Sequence, residues 1–234
     1  MLRKRTIQTH ASRDNLMTSA SSRDPGALSG TLAGVSFVGG VAGAMALADS
    51  PYPRPGSEPA EIRRYFRENS GAARLSVVGQ LISAASLARF TASVMKLAGR
   101  SGRGSRGLQA AALAGGGLAA ASLAASALLS AALTGRRGEQ AASDATLHRL
   151  VFAAGGPVHG AGFGVLVGSL GLAGLSTGEL PRVLALAGLA SAVAGLLSPL
   201  YFVAKPAAWF IPAGRFSGLL VSGIAGARFG RHSS

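Results

Sequence analysis

Long apolar runs broken by short charged islands dominate this chain. Six runs are long enough to cross a bilayer, whose core takes about 20 apolar residues per helix. They cover roughly residues 29–48, 75–97, 108–133, 148–175, 183–203 and 207–227. The fourth, His148 to Leu175, carries one charge at its second residue and then no acid or base other than His159. Within it Gly156, Gly160, Gly164 and Gly168 recur every four residues and form a narrow ridge on one helix face. In lipid such a ridge lets another backbone come close. The pattern therefore predicts a central, tightly packed fourth helix. Gly214, Gly218, Ser222 and Gly226 repeat the spacing in the sixth run. The fourth and sixth helices are the expected packing partners.

The segments between the runs predict their own structure. Pro51, Pro53, Pro55 and Pro59 hold the start of the 49–73 loop extended. The stretch AEIRRYFREN then reads as a short helix, with Ser57 as its expected cap and Glu58 and Glu61 in its first turn. Ile62, Tyr65 and Phe66 share one face, which suits either an interfacial helix or a cap over the bundle. Residues 1–28 read as a disordered basic tail and 228–234 as a second tail. Met17 is an alternative start. Ala46-Leu47-Ala48 fits a signal-peptidase site, but the 28 residues ahead of the first run are long for a signal peptide, so an ordinary span is expected. Pro199 is expected to kink the fifth helix, and Lys205-Pro206 to separate it from the sixth. Trp209 and Phe210 stand where interfacial aromatics belong.

Composition and charge sharpen this picture. Charged residues make up 14% of the chain, against about 25% in soluble domains. The net charge of +14 suggests nucleic acid at first sight, but the basic residues border apolar spans, where anionic headgroups attract them. The expected partners are membrane lipids rather than nucleic acid, with a protein partner in the membrane left open. With the N-terminus inside, twelve Lys and Arg fall on the inner side and nine on the outer. That excess favours cytoplasmic termini in a multi-pass protein of the cell membrane. Without cysteine there is no disulfide, thiolate nucleophile or thiolate metal site.

A glycine-rich fourth span, a short turn, and Leu180-Pro181-Arg182 opening the fifth resemble a family of uncharacterised six-span bacterial membrane proteins, common in high-GC genomes. The EIRRYF segment after the first span resembles that family's corresponding loop. The resemblance covers most of residues 29–227 and implies six helices in the cell membrane. It implies no activity and transfers no catalytic residue.

Candidate chemistry is sparse. Every acid falls in a tail, a loop or a span end, so the intramembrane carboxylates of ion-driven transporters are missing. His148 and His159 lie eleven residues apart on nearly one face, but without further histidines among the spans they make no haem or metal site. His159 is expected to donate to a carbonyl or serine of a neighbouring helix. Arg89 shares a face with Ser93, Lys96 and Arg100 and is expected to snorkel to headgroups. Arg215 is the anomaly: it lies about eight residues into the sixth span with no intramembrane acid to pair with, at a cost of about 2.5–3.5 kcal/mol. Carbonyls freed by Pro212, snorkelling past Trp209, or a bound anion would each answer it. No metal, cofactor or catalytic group is expected. The chain reads as a non-enzymatic structural or accessory membrane protein with lipid contacts at Arg215, Arg89 and His159, or alternatively as a small permease for an anionic or amphipathic cargo.

Overall fold

The computed structural model describes Gly26, residues 28–136 and residues 141–229. Most of the two tails therefore lies outside the described residues. Among those described there are helices and no strands, and six helical segments are long and apolar enough to cross a membrane. The chain is an all-α integral membrane protein. Its helices are α1 (Ser29–Leu47), α2 (Pro59–Glu68), α3 (Ser70–Gly99), α4 (Ser105–Gly135), α5 (Ala141–Ala153), α6 (His159–Thr177), α7 (Arg182–Leu197) and α8 (Phe210–Phe229). A π-helical turn at Ala154–Val158 joins α5 to α6, so the two form one span. Large apolar side chains such as Val35, Val78, Leu128, Val193 and Leu220 face outward. Water would penalise that surface, and lipid accepts it.

Several helices outrun the apolar pattern. α3 begins at Ser70 and α5 at Ala141, ahead of the expected starts at 75 and 148. Charge ends an apolar run but not a helix, because Arg74 and Asp144 can project sideways while the backbone stays hydrogen-bonded. Pro199 does not kink α7 from within: the α-helix stops at Leu197 and continues as a 3₁₀ turn over Ser198–Phe202.

The spans alternate in direction. Thr31 Oγ1 donates to the Gly223 carbonyl at 3.0 Å, so the start of α1 and the end of α8 share one face of the bundle, here the terminal face. On that face Gly178 ends α6 at a φ of 71°, a conformation that favours glycine. Leu180 then buries against Gly174, and Pro181 caps α7. Arg100 pairs with Glu179 at 2.8 Å across this turn.

The small-residue ridges pack differently from expectation. A Cβ on Gly164 would come within 2.9 Å of the Ala192 carbonyl, and one on Gly160 within 2.6 Å of Ser198 Oγ. The ridge of α6 therefore meets α7. A Cβ on Gly214 would lie 2.5 Å from the Gly195 nitrogen, so α8 also meets α7. The direct pairing of α6 and α8 is corrected to a shared partner, with Gly195 between Gly164 and Gly214; only Gly218 faces α6, against Phe163. Gly168 sits 3.1 Å from Ala192 Cβ by the same construction, whereas Gly156 meets only ordinary contacts at 3.7 Å and beyond. The π turn explains that exception, since its wider pitch carries Gly156 off the four-residue row. The fourth span is the most internal, with 56% of its apolar window buried against 28% for the first.

α2 caps the bundle. Ile62, Tyr65 and Phe66 are buried against Leu133 and Val151, which an interfacial helix facing lipid would not do. Its cap is Glu58 rather than Ser57, because Pro59 opens the helix; Ser57 Oγ instead accepts the Arg54 N–H at 3.2 Å.

Candidate functional site

A cavity of about 340 Å³ opens between the far halves of α1 and α8. Val41 and Met45 of α1 and Ile211 of α8 line it, while α3, α4 and α5 contribute Gln80, Ser130 and Phe152. Tyr65 and Phe66 of α2 also line it, at its outer end. Burial pushes the Tyr65 phenol above its ordinary range, so it stays neutral. The lining is mainly apolar and contains one ionisable cation, Arg215, and no acid.

Pro157 shapes the inner end. It has no N–H to donate, and the chain widens into a π turn around it. Neighbouring side chains then donate to the carbonyls of this region. Ser126 Oγ reaches the Val151 carbonyl at 3.0 Å, and Ser198 Oγ the Pro157 carbonyl at 3.0 Å. Arg215 Nη2 donates to the Gly155 carbonyl, and the guanidinium carbon stands 4.8 Å from the centre of the Phe37 ring. Arg215 Nε is buried and lacks a hydrogen-bond partner among the described residues. The carbonyl that holds the guanidinium thus belongs to the π turn of a facing helix, not to the stretch of its own helix ahead of Pro212. Phe37 is ten residues short of the end of α1, which places it about 15 Å below the far face at 1.5 Å per residue. That is near the middle of a core about 30 Å thick, which puts the Arg215 head at membrane mid-depth.

The other sequence candidates do not converge here. His159 is buried behind the cleft; its Nδ1–H donates to the Ala119 carbonyl at 2.9 Å and its ring stacks on Phe163 at 5.6 Å. The expected bond to a neighbouring helix is present, and it gives His159 a packing role. Arg89 is exposed beside Phe90, which lies against Gly30 near the start of α1. It is not among the residues that line the cleft. His148 is buried between Tyr52 and Phe66, and neither ring nitrogen has a partner among the described residues. The two histidines thus occupy separate surroundings, and no group of metal-ligating side chains forms among the described residues.

Sequence reasoning placed Asp144 in a loop and passed over it. The structure sets it on α5, 2% exposed, with Arg63 Nη1 donating to Oδ2 at 3.3 Å and Arg136 Nη1 to Oδ1 at 3.1 Å. The available signal was Asp144 one helical turn before His148, ahead of an apolar run. Comparison with family models, with curated proteins and with solved structures finds no match to this chain.

Proposed function

We propose that this membrane protein is a non-enzymatic component that holds a lipid-like anion, its apolar body in the cleft and its acidic end on Arg215. The observation that carries the reading is the unpartnered Nε of a cation at membrane mid-depth, in a cavity without an acid. A buried charge is costly until it is paired, so an incoming carboxylate or phosphate gains a charge-assisted bond there. A second reading, carriage of such an anion across the membrane, draws support from the same depth, since a static headgroup contact needs no cation about 15 Å below the surface. Cytoplasmic termini, a cell-membrane location and kinship with the six-span bacterial family belong to this proposal.

The test is binding of oleate by the detergent-solubilised full chain, followed by native mass spectrometry and melting temperature. Oleate should bind and stabilise the wild type, its methyl ester should not, and Arg215→Leu should lose the difference. Equal binding of acid and ester would remove the role given to Arg215. Uptake of oleate into proteoliposomes separates carriage from holding.

A further inference from the structure

Phe66 also lines a second cavity of about 340 Å³, formed by α2, the first turns of α3, the end of α4 and the start of α5. Its character is the reverse of the cleft's. Arg63, Arg67, Arg74 and Arg136 surround the single buried carboxylate of Asp144. Each oxygen of Asp144 is taken by one arginine, so the carboxylate fixes Arg63 and Arg136 in place. A guanidinium carries five N–H donors, and for Arg63 the bond to Asp144 uses only part of the fork, while Arg136 Nη1 also donates to Ser143 Oγ at 2.9 Å. Arg67 reaches only the exposed Glu68, at 3.5 Å. Arg74 has no ion pair or hydrogen bond among the described residues. Four guanidinium groups against one carboxylate leave an excess of positive charge in a walled cavity. Thr134 and Ser70 add hydroxyls.

Depth identifies what could reach it. Leu75, next to Arg74, packs on Gly43 one turn before the end of α1. The cavity thus lies at the membrane boundary of the far face, where phosphate groups of lipids and dissolved phosphate both arrive. Planar forks match phosphate oxygens two at a time, which ammonium groups cannot do. We propose that this pocket binds a phosphate group, held by Arg74 together with Arg63.

The experiment uses the full chain in a neutral detergent, with two probes. One is dioleoylphosphatidylglycerol, counted per chain by native mass spectrometry; the other is inorganic phosphate, read as the melting-temperature shift against chloride at equal ionic strength. Arg74→Gln should weaken whichever probe binds by about tenfold, as loss of a charge-assisted bond does. Arg67→Gln should weaken it less, and Arg54→Gln, an exposed arginine outside this pocket, should leave it unchanged. Retention of the lipid alone assigns a headgroup, a phosphate shift alone assigns the free anion, and both together assign the shared chemistry. No binding of either probe overturns the proposal, as does an equal loss in Arg54→Gln, which would reduce it to general surface attraction. Arg215→Leu should leave both probes unaffected, so this result stands or falls separately from the oleate experiment.

Discussion

Gly195→Ala is the smallest change that reports on how the bundle is held. The new methyl carbon would lie 2.7 Å from the Gly160 carbonyl oxygen and 2.9 Å from Gly164 Cα. Both are backbone atoms of α6, so no side chain can swing away. Comfortable carbon contacts lie at about 3.5–4.0 Å, which forces α6 and α7 apart by roughly 0.6–1 Å. A gap of that size forfeits about a quarter to a half of the attraction at each contact along the seam. In lipid that attraction is the main force between helices, since apolar burial gives little advantage over acyl chains. The expected cost is about 1–3 kcal/mol, as for other overpacked cores. Gly117→Ala on α4 is the control, because nothing lies within 4 Å of its added carbon. It should be neutral or gain up to about 1 kcal/mol from helix propensity. Thermal unfolding in one detergent should therefore separate the two variants by several degrees, about 2–4 °C per kcal/mol for a chain of this size. Equal shifts, or a rise in Gly195→Ala, would refute the close approach of α6 and α7.

Without ligand, Arg215→Leu should change stability little. It removes an insertion cost of about 2.5–3.5 kcal/mol but also a charged hydrogen bond worth about 1.5–3 and a ring contact worth up to about 2; a loss above about 4 kcal/mol in unliganded protein would show that the guanidinium is a structural keystone. Single cysteines at Ser101 and Ser57 should label from opposite sides of the membrane, with Ser101 cytoplasmic; labelling from one side would overturn the alternation of spans. His148→Phe should raise the melting temperature, because an apolar ring of similar shape replaces two buried nitrogens without partners at a site worth about 1–3 kcal/mol. A fall instead would mean that His148 serves a partner outside the described residues.

The six spans were legible because each is a long, mainly apolar run, and length distinguishes such runs from core helices. The turn at Gly178-Glu179-Leu180-Pro181 was legible for a local reason, since a left-handed glycine followed by proline can only end one helix and open another. The partners of the glycine ridges were not legible. A four-residue repeat names a face but not the helix that meets it, and the row Ala187, Ser191 and Gly195 on α7 holds only one glycine, so it stood out less than the ridges of α6 and α8. The resting place of Arg215 was half legible: the missing acid was plain in the sequence. The carbonyl that receives the guanidinium belongs to the π turn of another helix, a contact no linear pattern carries. Asp144 escaped because an apolar-run boundary was taken as a helix boundary.

Three of the ionised side chains in the spans, Arg89, Asp144 and Arg215, meet different surroundings. Arg89 is left exposed. Asp144, at the far end of its span, is buried beneath two arginines that remain 28% and 33% exposed, so the charge is neutralised without leaving the surface. Arg215 has neither option at mid-depth. Its stabilisation comes from one carbonyl and one aromatic face, both neutral, which spread its charge without cancelling it. An uncancelled positive charge facing an apolar cavity attracts an anion more strongly than the same charge at the surface, because screening falls with depth. The arginine pocket has the opposite balance, with four cations close to water, two of them tied to one acid. On this physical ground the deep site suits a single anionic end on an apolar body, and the shallow one suits a compact, highly charged group that stays in contact with water.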